Sequence, residues 1–263
     1  MSCIIRVIGQ TMTQKIIAVV NQKGGVGKTT TTINVAAQLA AGGQSVLLVD
    51  LDPQGNATSG LGITKDQAIT MYEVLCEAAQ LAKASQETNV AKLFVLPSNS
   101  NLAGAEVTLV NQANREFALS QALKTASYDV ILIDCPPSLG LLTINALTAA
   151  NSVLIPVQAE YYALEGLSQL LNTIQAVKHS TNPQLELLGI ALTMYDKRTS
   201  LGEQVREEVE KYFGDKLFKT LIPRNIRLAE APSYGRTIFE HDRWSKGARA
   251  YKALAREVRD RLV

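Results

Sequence analysis

The chain has 263 residues, of which 46% are hydrophobic and 19% charged, and its formal net charge is +2. This is the composition of a globular protein, which argues against an intrinsically disordered chain. No apolar run approaches the roughly 20 residues that a membrane-spanning helix requires, so the sequence also argues against an integral membrane protein.

The first residues, MSCIIRVIGQ, lack the long apolar region and the small-residue cleavage site of a signal peptide. We expect residues 1–13 to form a flexible leader, with Met12 as an alternative start, and residues 14–263 to form the folded domain. The chain has three cysteines, Cys3, Cys76 and Cys135. Their odd number and wide spacing fit neither a disulfide framework nor a metal site, which favours a reducing, cytoplasmic location.

Short apolar runs rich in Val, Ile and Leu alternate with segments of helical periodicity. The apolar runs predict buried strands at residues 16–21, 45–50, 92–96, 128–134, 152–157 and 187–194, with a weaker candidate at 216–223. The periodic segments predict helices at residues 28–41, 164–179, 202–214 and 247–263. This alternation predicts a single α/β domain with a mostly parallel, twisted sheet and helices on both faces. Ligands of such sheets bind beyond the carboxyl ends of the strands.

The segment NQKGGVGKTT, residues 21–30, follows the first predicted strand and leads into the first predicted helix. This is the setting of a phosphate-binding P-loop, in which glycines let backbone N–H groups converge and the helix adds its positive dipole end. We expect Lys28 to contact the β- and γ-phosphates, Thr29 to bind Mg²⁺, and Thr30 to bond to the α-phosphate. The loop residues expected to surround the nucleotide are Lys23, Gly24, Gly25, Val26, Gly27, Lys28, Thr29 and Thr30.

The loop departs from the usual P-loop pattern at one point. The pattern G-x-x-x-x-G-K-[ST] requires glycine at position 22, where this chain has Gln22, followed by a second lysine, Lys23. Four threonines then follow Lys28, although threonine is a mediocre helix former. A plain strand–turn–helix connection explains neither feature, so the sequence predicts a P-loop NTPase of an unusual type.

Three aspartates lie at or just beyond the ends of predicted strands. Asp50 ends the strand at 45–50, Asp52 follows it, and Asp134 ends the strand at 128–134. Since parallel strand ends meet at one edge of the sheet, we expect the three carboxylates to lie near the P-loop. Asp134 has the Walker B position, where an acidic residue binds the water shell of the metal. Asp50 is expected to be structural or to support the metal site from behind.

The charge of the chain is unevenly distributed. Residues 219–263 contain eleven Lys and Arg residues but five Asp and Glu residues, whereas the rest of the chain is net acidic. The excess makes this region a candidate surface for a polyanion, although a solvated helix face is the commoner explanation of such a charge pattern.

The segment KGGVGKT resembles the deviant Walker A signature of the ParA/MinD group of P-loop ATPases. Further segments are similar to the ParA/Soj family: DPQGNATSGLG, DCPPSLGLLTINAL, IPVQAEYYALEGLSQLL, LTMYDKRTSLG and IPRNIRLAEAPSYGRTI. The resemblance spans residues 16–255. It implies that Lys23 crosses a nucleotide-sandwich dimer to the partner's phosphates, and that Asp52 orients the attacking water and contacts Mg²⁺ through water, as Asp134 does. It also implies that Met194, Pro223 and Asn225 lie near the adenine.

The resemblance further implies a function. The protein is expected to be an ATPase that dimerises with Mg²⁺ and ATP, coats nucleoid DNA without sequence preference, and hydrolyses ATP when stimulated by a ParB-like partner. The cellular role would be chromosome or plasmid segregation. Arg198 and Arg227 match DNA-binding positions of the family. Weaker DNA-binding candidates are Lys197, Arg236, Lys246, Arg249 and Lys252, while Arg224 is an alternative holder of the nucleotide turn.

Two alternatives stay open at this point. One is a membrane-surface regulator like MinD, although the last residues, AREVRDRLV, offer little apolar area for stable membrane binding. The other is a ParA-type ATPase that positions a different cargo. A third relative, the nitrogenase iron protein, is disfavoured because no second cysteine follows Cys135 to ligate a shared cluster.

Overall fold

The fold is that of a computed structural model, which describes residues 14–160 and 163–262. The predicted leader, with Met12 and Cys3, lies outside the described residues. Seven strands form one sheet: β1 (Lys15–Val19), β2 (Val46–Asp50), β3 (Gln86–Glu87), β4 (Leu93–Leu96), β5 (Val130–Asp134), β6 (Ser152–Gln158) and β7 (Glu186–Thr193). Their order in the sheet is β3-β4-β2-β5-β1-β6-β7. All neighbours are parallel except β3 and β4, which confirms the predicted α/β class with a mostly parallel sheet.

Helices occupy the connections between the strands. The helices are α1 (Lys28–Ala41), α2 (Asn56–Gly60), α3 (Met71–Cys76), α4 (Leu81–Ala84), α5 (Ala105–Leu109), α6 (Ala118–Leu123), α7 (Leu141–Ala149), α8 (Ala163–Ser180), α9 (Ser200–Phe213), α10 (Ile226–Glu230), α11 (Ile238–His241) and α12 (Lys246–Arg261). The four predicted helices correspond to α1, α8, α9 and α12. The described helices do not include one that is both long and apolar enough to cross a membrane.

The sheet is buried on both faces because apolar side chains point to both sides of each central strand. In β1, Ala18 belongs to one hydrophobic cluster and Ile17 and Val19 belong to the other. The first cluster includes residues of α3, α5, α6, α7 and α8, and the second includes residues of α1 and α12. Continuous apolar strands are therefore explained by helices on both faces.

One predicted strand is wrong. One isolated bridge joins Leu217 to Ile190 of β7, and a second joins Pro223 to Tyr195, two residues beyond the end of β7. Between the bridges, the N–H groups of Lys219 and Thr220 donate to the carboxylate of Glu257 in α12, at 2.9 Å each. The Glu257 carboxylate thus takes donors that a strand ladder would need, and the segment remains an irregular connection.

The sequence also missed several elements. β3 has two residues, and the helices α2 to α6, α10 and α11 have four to six residues each, too few to display a helical period. α7 is longer, but it is buried on nearly all sides and has no polar face to reveal its periodicity.

Candidate nucleotide-binding site

The P-loop connects β1 to α1 with a tight, glycine-dependent backbone. Gly25 and Gly27 have φ angles of 74° and 88°, a region that residues with a side chain rarely adopt. Lys28, the first residue of α1, is 7% exposed, and its Nζ donates to the carbonyl of Lys23 at 3.0 Å. The loop thus wraps around the Lys28 ammonium.

Two of the four threonines hold the carboxylate at the end of β5. Thr29 Oγ1 donates to Asp134 Oδ2 at 2.7 Å, and Thr32 Oγ1 donates to Asp134 Oδ1 at 2.9 Å. Thr29 and Asp134 are the predicted metal-binding pair, and the structure brings them together. The sequence alone did not predict a role for Thr32. It lies three residues after Thr29, so both side chains lie on the same side of α1.

Asp50 and Asp134 are register partners at the ends of the neighbouring strands β2 and β5. Asp50 Oδ2 accepts from the backbone N and the Oγ1 of Thr58 in α2, at 2.8 and 2.7 Å. Burial raises the pKa of Asp50 to about 6, and burial together with the nearby Asp50 charge raises the pKa of Asp134 to about 7. Asp50 thus anchors α2 through Thr58, which agrees with the structural role, one of the two roles expected for it.

Asp52 lies just beyond β2 in the loop that Asp50 holds. The backbone N of Asp52 donates to Asp50 Oδ1 at 3.2 Å, and Asp52 Oδ1 accepts from the backbone N of Gln54 at 2.9 Å. The Asp52 side chain is buried, and its charge acts on Lys28. The carboxylate predicted to orient water therefore lies near the P-loop lysine.

The groups predicted to bind the metal at this edge of the sheet are all oxygens: the hydroxyl of Thr29 and the carboxylates of Asp134 and Asp52. Within the described ranges there is no group of three or more His, Cys, Asp or Glu side chains placed to hold a metal ion. This donor set fits Mg²⁺, which is commonly held by one or two carboxylates together with phosphate oxygens and water.

The three residues predicted to lie near the adenine line a single cavity. Met194, Pro223 and Asn225 border a space of about 390 Å³ together with Gly27 and Thr30. Met194 has a φ angle of 51°, an uncommon conformation for a residue other than glycine and one that clusters at binding sites. The cavity thus begins at the P-loop and extends along the turn that Asn225 caps by accepting from the backbone N of Arg227 at 2.9 Å.

Thr193, the last residue of the edge strand β7, contacts the P-loop, and no motif in the sequence predicts this role. Its hydroxyl donates to the carbonyl of Val26 at 2.8 Å and also lies 3.2 Å from the carbonyl of Val157. The ends of β6 and β7 therefore position the loop that surrounds Lys28.

The Lys23 side chain, unlike that of Lys28, contacts a residue outside the P-loop. Its backbone N donates to Asn21 Oδ1 at 2.9 Å, whereas its Nζ lies 3.0 Å from Glu160 Oε2 beyond the end of β6. The side chains of Lys23 and Glu160 are 47% and 44% exposed. The two lysines of the loop therefore have different environments, one buried and one at the surface.

The predicted DNA-binding arginines, Arg198 and Arg227, both lie at the surface, with side chains 83% and 51% exposed. The Tyr195–Pro223 bridge aligns the segment that contains Arg198 with the segment that contains Arg227. Arg198 Nη2 pairs with Asp196 Oδ2 at 2.6 Å, and Arg227 Nη1 pairs with Glu230 Oε2 at 2.8 Å. Each guanidinium thus has a carboxylate partner within its own chain.

Comparison with known proteins gives the family. Residues 14–187 match the family described as AAA domain. The chain is 58% identical over 247 residues to the sporulation initiation inhibitor protein Soj of Bacillus subtilis, which covers 93% of this chain and 98% of the relative. It is 55% identical over 250 residues to the chromosome partitioning protein ParA of Myxococcus xanthus, which covers 94% of this chain and 88% of the relative.

A solved structure agrees in fold. The cobyrinic acid a,c-diamide synthase of Mycobacterium smegmatis, with bound ADP and magnesium, has a TM-score of 0.81 and 42% identity. The alignment covers 92% of this chain and 93% of that chain. The fold and the P-loop define a P-loop ATPase of the deviant Walker A type. Within that class, the chain belongs to the ParA/Soj family, as the sequence predicted.

Proposed function

We propose that this protein is an ATP-dependent dimerising switch that binds DNA without sequence preference and moves a chromosome or plasmid during segregation. It binds ATP with Mg²⁺, closes face to face with a second copy, and hydrolyses ATP to ADP and phosphate when a ParB-like protein stimulates it. Such a switch acts in the cytoplasm, on the nucleoid.

The separation of the two loop lysines is the observation that carries this proposal. The Lys28 ammonium is buried inside its own P-loop, whereas the Lys23 ammonium is held outside it at the surface. Lys28 binds the nucleotide of its own chain. Lys23, on release from its surface partner Glu160, can reach a nucleotide bound to another chain. A positive group supplied by a partner makes hydrolysis depend on dimerisation.

Each site residue has a defined task in this proposal. Lys28, Thr30 and the loop N–H groups bind the phosphates, while Thr29 and Asp134 hold Mg²⁺. The bound Mg²⁺ neutralises charge on the β- and γ-phosphates. Asp52 orients the attacking water, and Met194, Pro223 and Asn225 enclose the base.

The proposed DNA surface is built from the face that carries Arg198 and Arg227. Non-specific DNA binding depends on contacts with phosphates, and two-fold pairing of subunits doubles the number of such contacts. A phosphate would replace Asp196 or Glu230 as the partner of each guanidinium. Loss of the dimer after hydrolysis would then weaken DNA binding.

The apolar side of α12 weighs against the alternative of a membrane-surface regulator. Tyr251, Leu254 and Val258 are buried against α1 and the sheet, so the helix does not present them to lipid. The alternative of another cargo shares the same switch and differs only in the partner. Finding a gene for a ParB-like DNA-binding protein beside this one would favour segregation over another cargo.

The substitution Lys23→Ala tests the proposal. Because the loop backbone and Lys28 are unchanged, the variant should retain nucleotide binding, measured by fluorescent ATP-analogue titration, and lose partner-stimulated phosphate release. The matched control is Lys124→Ala, which removes an exposed lysine from the end of α6. Stimulated hydrolysis that is equal in Lys23→Ala and the wild type contradicts the exchange of Lys23 between subunits.

A further inference from the structure

The Lys23 ammonium has a specific partner in its own chain. Its Nζ lies 3.0 Å from Glu160 Oε2, across 137 positions of sequence, so the pair joins the P-loop to the residue two positions beyond β6. Glu160 is itself held in place: its other carboxylate oxygen accepts from the side chain of Gln158, and its backbone N donates to the Gln158 carbonyl at 2.8 Å. The carboxylate is thus oriented toward the loop.

The backbone around Lys23 is fixed, which leaves the side chain as the part that moves. The N–H of Lys23 donates to Asn21, whose side chain donates to the carbonyl of Pro156 in β6 at 2.7 Å. The carbonyl of Lys23 accepts from Lys28 at 3.0 Å. An ammonium that serves a second subunit must therefore leave Glu160 by side-chain rotation.

We propose that Glu160 is a positioning residue that holds Lys23 within its own subunit and thereby raises the concentration of protein at which the ATP-bound dimer forms. This inference rests on the proposed exchange of Lys23. A symmetric dimer has an identical contact on both subunits, so closure breaks two such ion pairs. An exposed ion pair changes an equilibrium by about 1.4- to 5-fold. Two pairs together then change the dimerisation constant by about 2- to 30-fold.

The test is the substitution Glu160→Gln, which preserves the size of the side chain and one of its two acceptor oxygens and removes the charge. Self-association is measured by analytical ultracentrifugation with Mg²⁺ and a non-hydrolysable ATP analogue. We expect the dissociation constant of the Glu160→Gln dimer to be about 2- to 30-fold lower than that of the wild type. The difference should shrink in about 1 M salt, because salt screens an exposed ion pair.

Two further variants separate a specific role from a general effect of charge. Glu186→Gln makes the same charge change at an exposed position at the start of β7, the opposite end of the sheet, and should leave dimerisation unchanged. In a Lys23→Ala background, Glu160→Gln should have no effect, because Glu160 acts through Lys23. A structural role of Glu160 would persist in that background.

The outcomes distinguish this inference from the function on which it rests. A wild-type protein that remains monomeric with the ATP analogue contradicts the proposed switch itself. A wild type that dimerises, together with a Glu160→Gln variant of equal dissociation constant, overturns only the role of Glu160. A weaker Glu160→Gln dimer also overturns it, since Glu160 would then stabilise the closed state.

Discussion

The hydroxyl groups of Thr31 and Tyr251 lie 3.1 Å apart, and this hydrogen bond joins the first helix of the P-loop fold to the last helix of the chain. Thr31 is fully buried and Tyr251 is 1% exposed. Tyr251 also lines the cavity assigned to the base, beside Thr30. The basic C-terminal helix is therefore anchored to α1 directly beside the candidate nucleotide site.

Tyr251→Phe is expected to destabilise the protein by about 1–3 kcal/mol, because it leaves the buried Thr31 hydroxyl without its partner. Urea denaturation followed by circular dichroism measures the loss. The control is Tyr212→Phe, which removes a hydroxyl from a ring that is 69% exposed and should change stability by less than about 0.5 kcal/mol. Equal effects of the two substitutions would show that the Thr31–Tyr251 bond contributes nothing.

Much of the fold was predictable because the central strands and long helices carry strong patterns. The apolar runs located six of the seven strands, and α1 begins and ends where its period predicts. The strand prediction failed where a distant side chain competes for backbone hydrogen bonds. The 216–223 segment has the apolar content of a strand, but the carboxylate of Glu257, 37 residues beyond Thr220, accepts from the N–H groups of Lys219 and Thr220. No pattern within the segment reveals a partner so distant in sequence.

The sequence predicted the motif residues of the site but not the residues that contact and position them. The run of four threonines called for an explanation, and each hydroxyl residue has a contact in the structure: Thr29 and Thr32 both bond Asp134, Thr30 lines the cavity, and Thr31 bonds Tyr251. The partners Thr193 and Glu160 come from strand ends far along the chain. Their roles follow from the strand order in the sheet, which the sequence does not specify.

Asp134→Asn is expected to abolish the effect of Mg²⁺ on nucleotide binding while leaving the fold intact. Asparagine has nearly the same size, and burial together with the Asp50 charge raises the pKa of Asp134 to about 7, so loss of the charge itself should cost little. One of the bonds from Thr29 and Thr32 loses its acceptor, which should cost about 1 kcal/mol. In thermal melts of the wild type, ATP with Mg²⁺ at about 100 times its dissociation constant should stabilise the fold by about 2.7 kcal/mol.

The Asp134→Asn variant should show the same melting temperature with ATP whether Mg²⁺ or a chelator is present. Asp66→Asn, at an exposed loop position, is the control and should behave like the wild type. A full Mg²⁺-dependent shift in Asp134→Asn would remove Asp134 from the metal site.

Asp52→Ala is expected to retain ATP-driven dimerisation and to lose hydrolysis. The substitution removes the carboxylate that is proposed to orient water, whereas Lys23, Lys28 and Thr29 remain. Light scattering should show a persistent dimer with Mg²⁺ and ATP, and a phosphate-release assay should show a loss of at least about 100-fold in rate. Asp260→Ala, on the exposed side of α12, serves as the control. A variant that stays monomeric with ATP, or one that hydrolyses ATP normally, contradicts the proposed role of Asp52.

Arg227→Glu is expected to abolish DNA retention and to spare dimerisation. The new carboxylate would repel DNA phosphates and would lie beside Glu230 and Asp242, the present partners of Arg227. The milder change Arg227→Ala removes one phosphate contact per subunit. Each lost contact reduces the magnitude of the negative slope of log K against log salt by about 0.9, so for a dimer the magnitude should fall by about two. Filter binding across a salt series measures it, and Lys124→Glu provides the same reversal of charge on an unrelated surface. If Arg227→Ala leaves the slope unchanged, Arg227 is not part of the DNA surface. If Lys124→Glu lowers DNA affinity as much as Arg227→Glu does, the overall charge of the protein, and not a particular surface, governs binding.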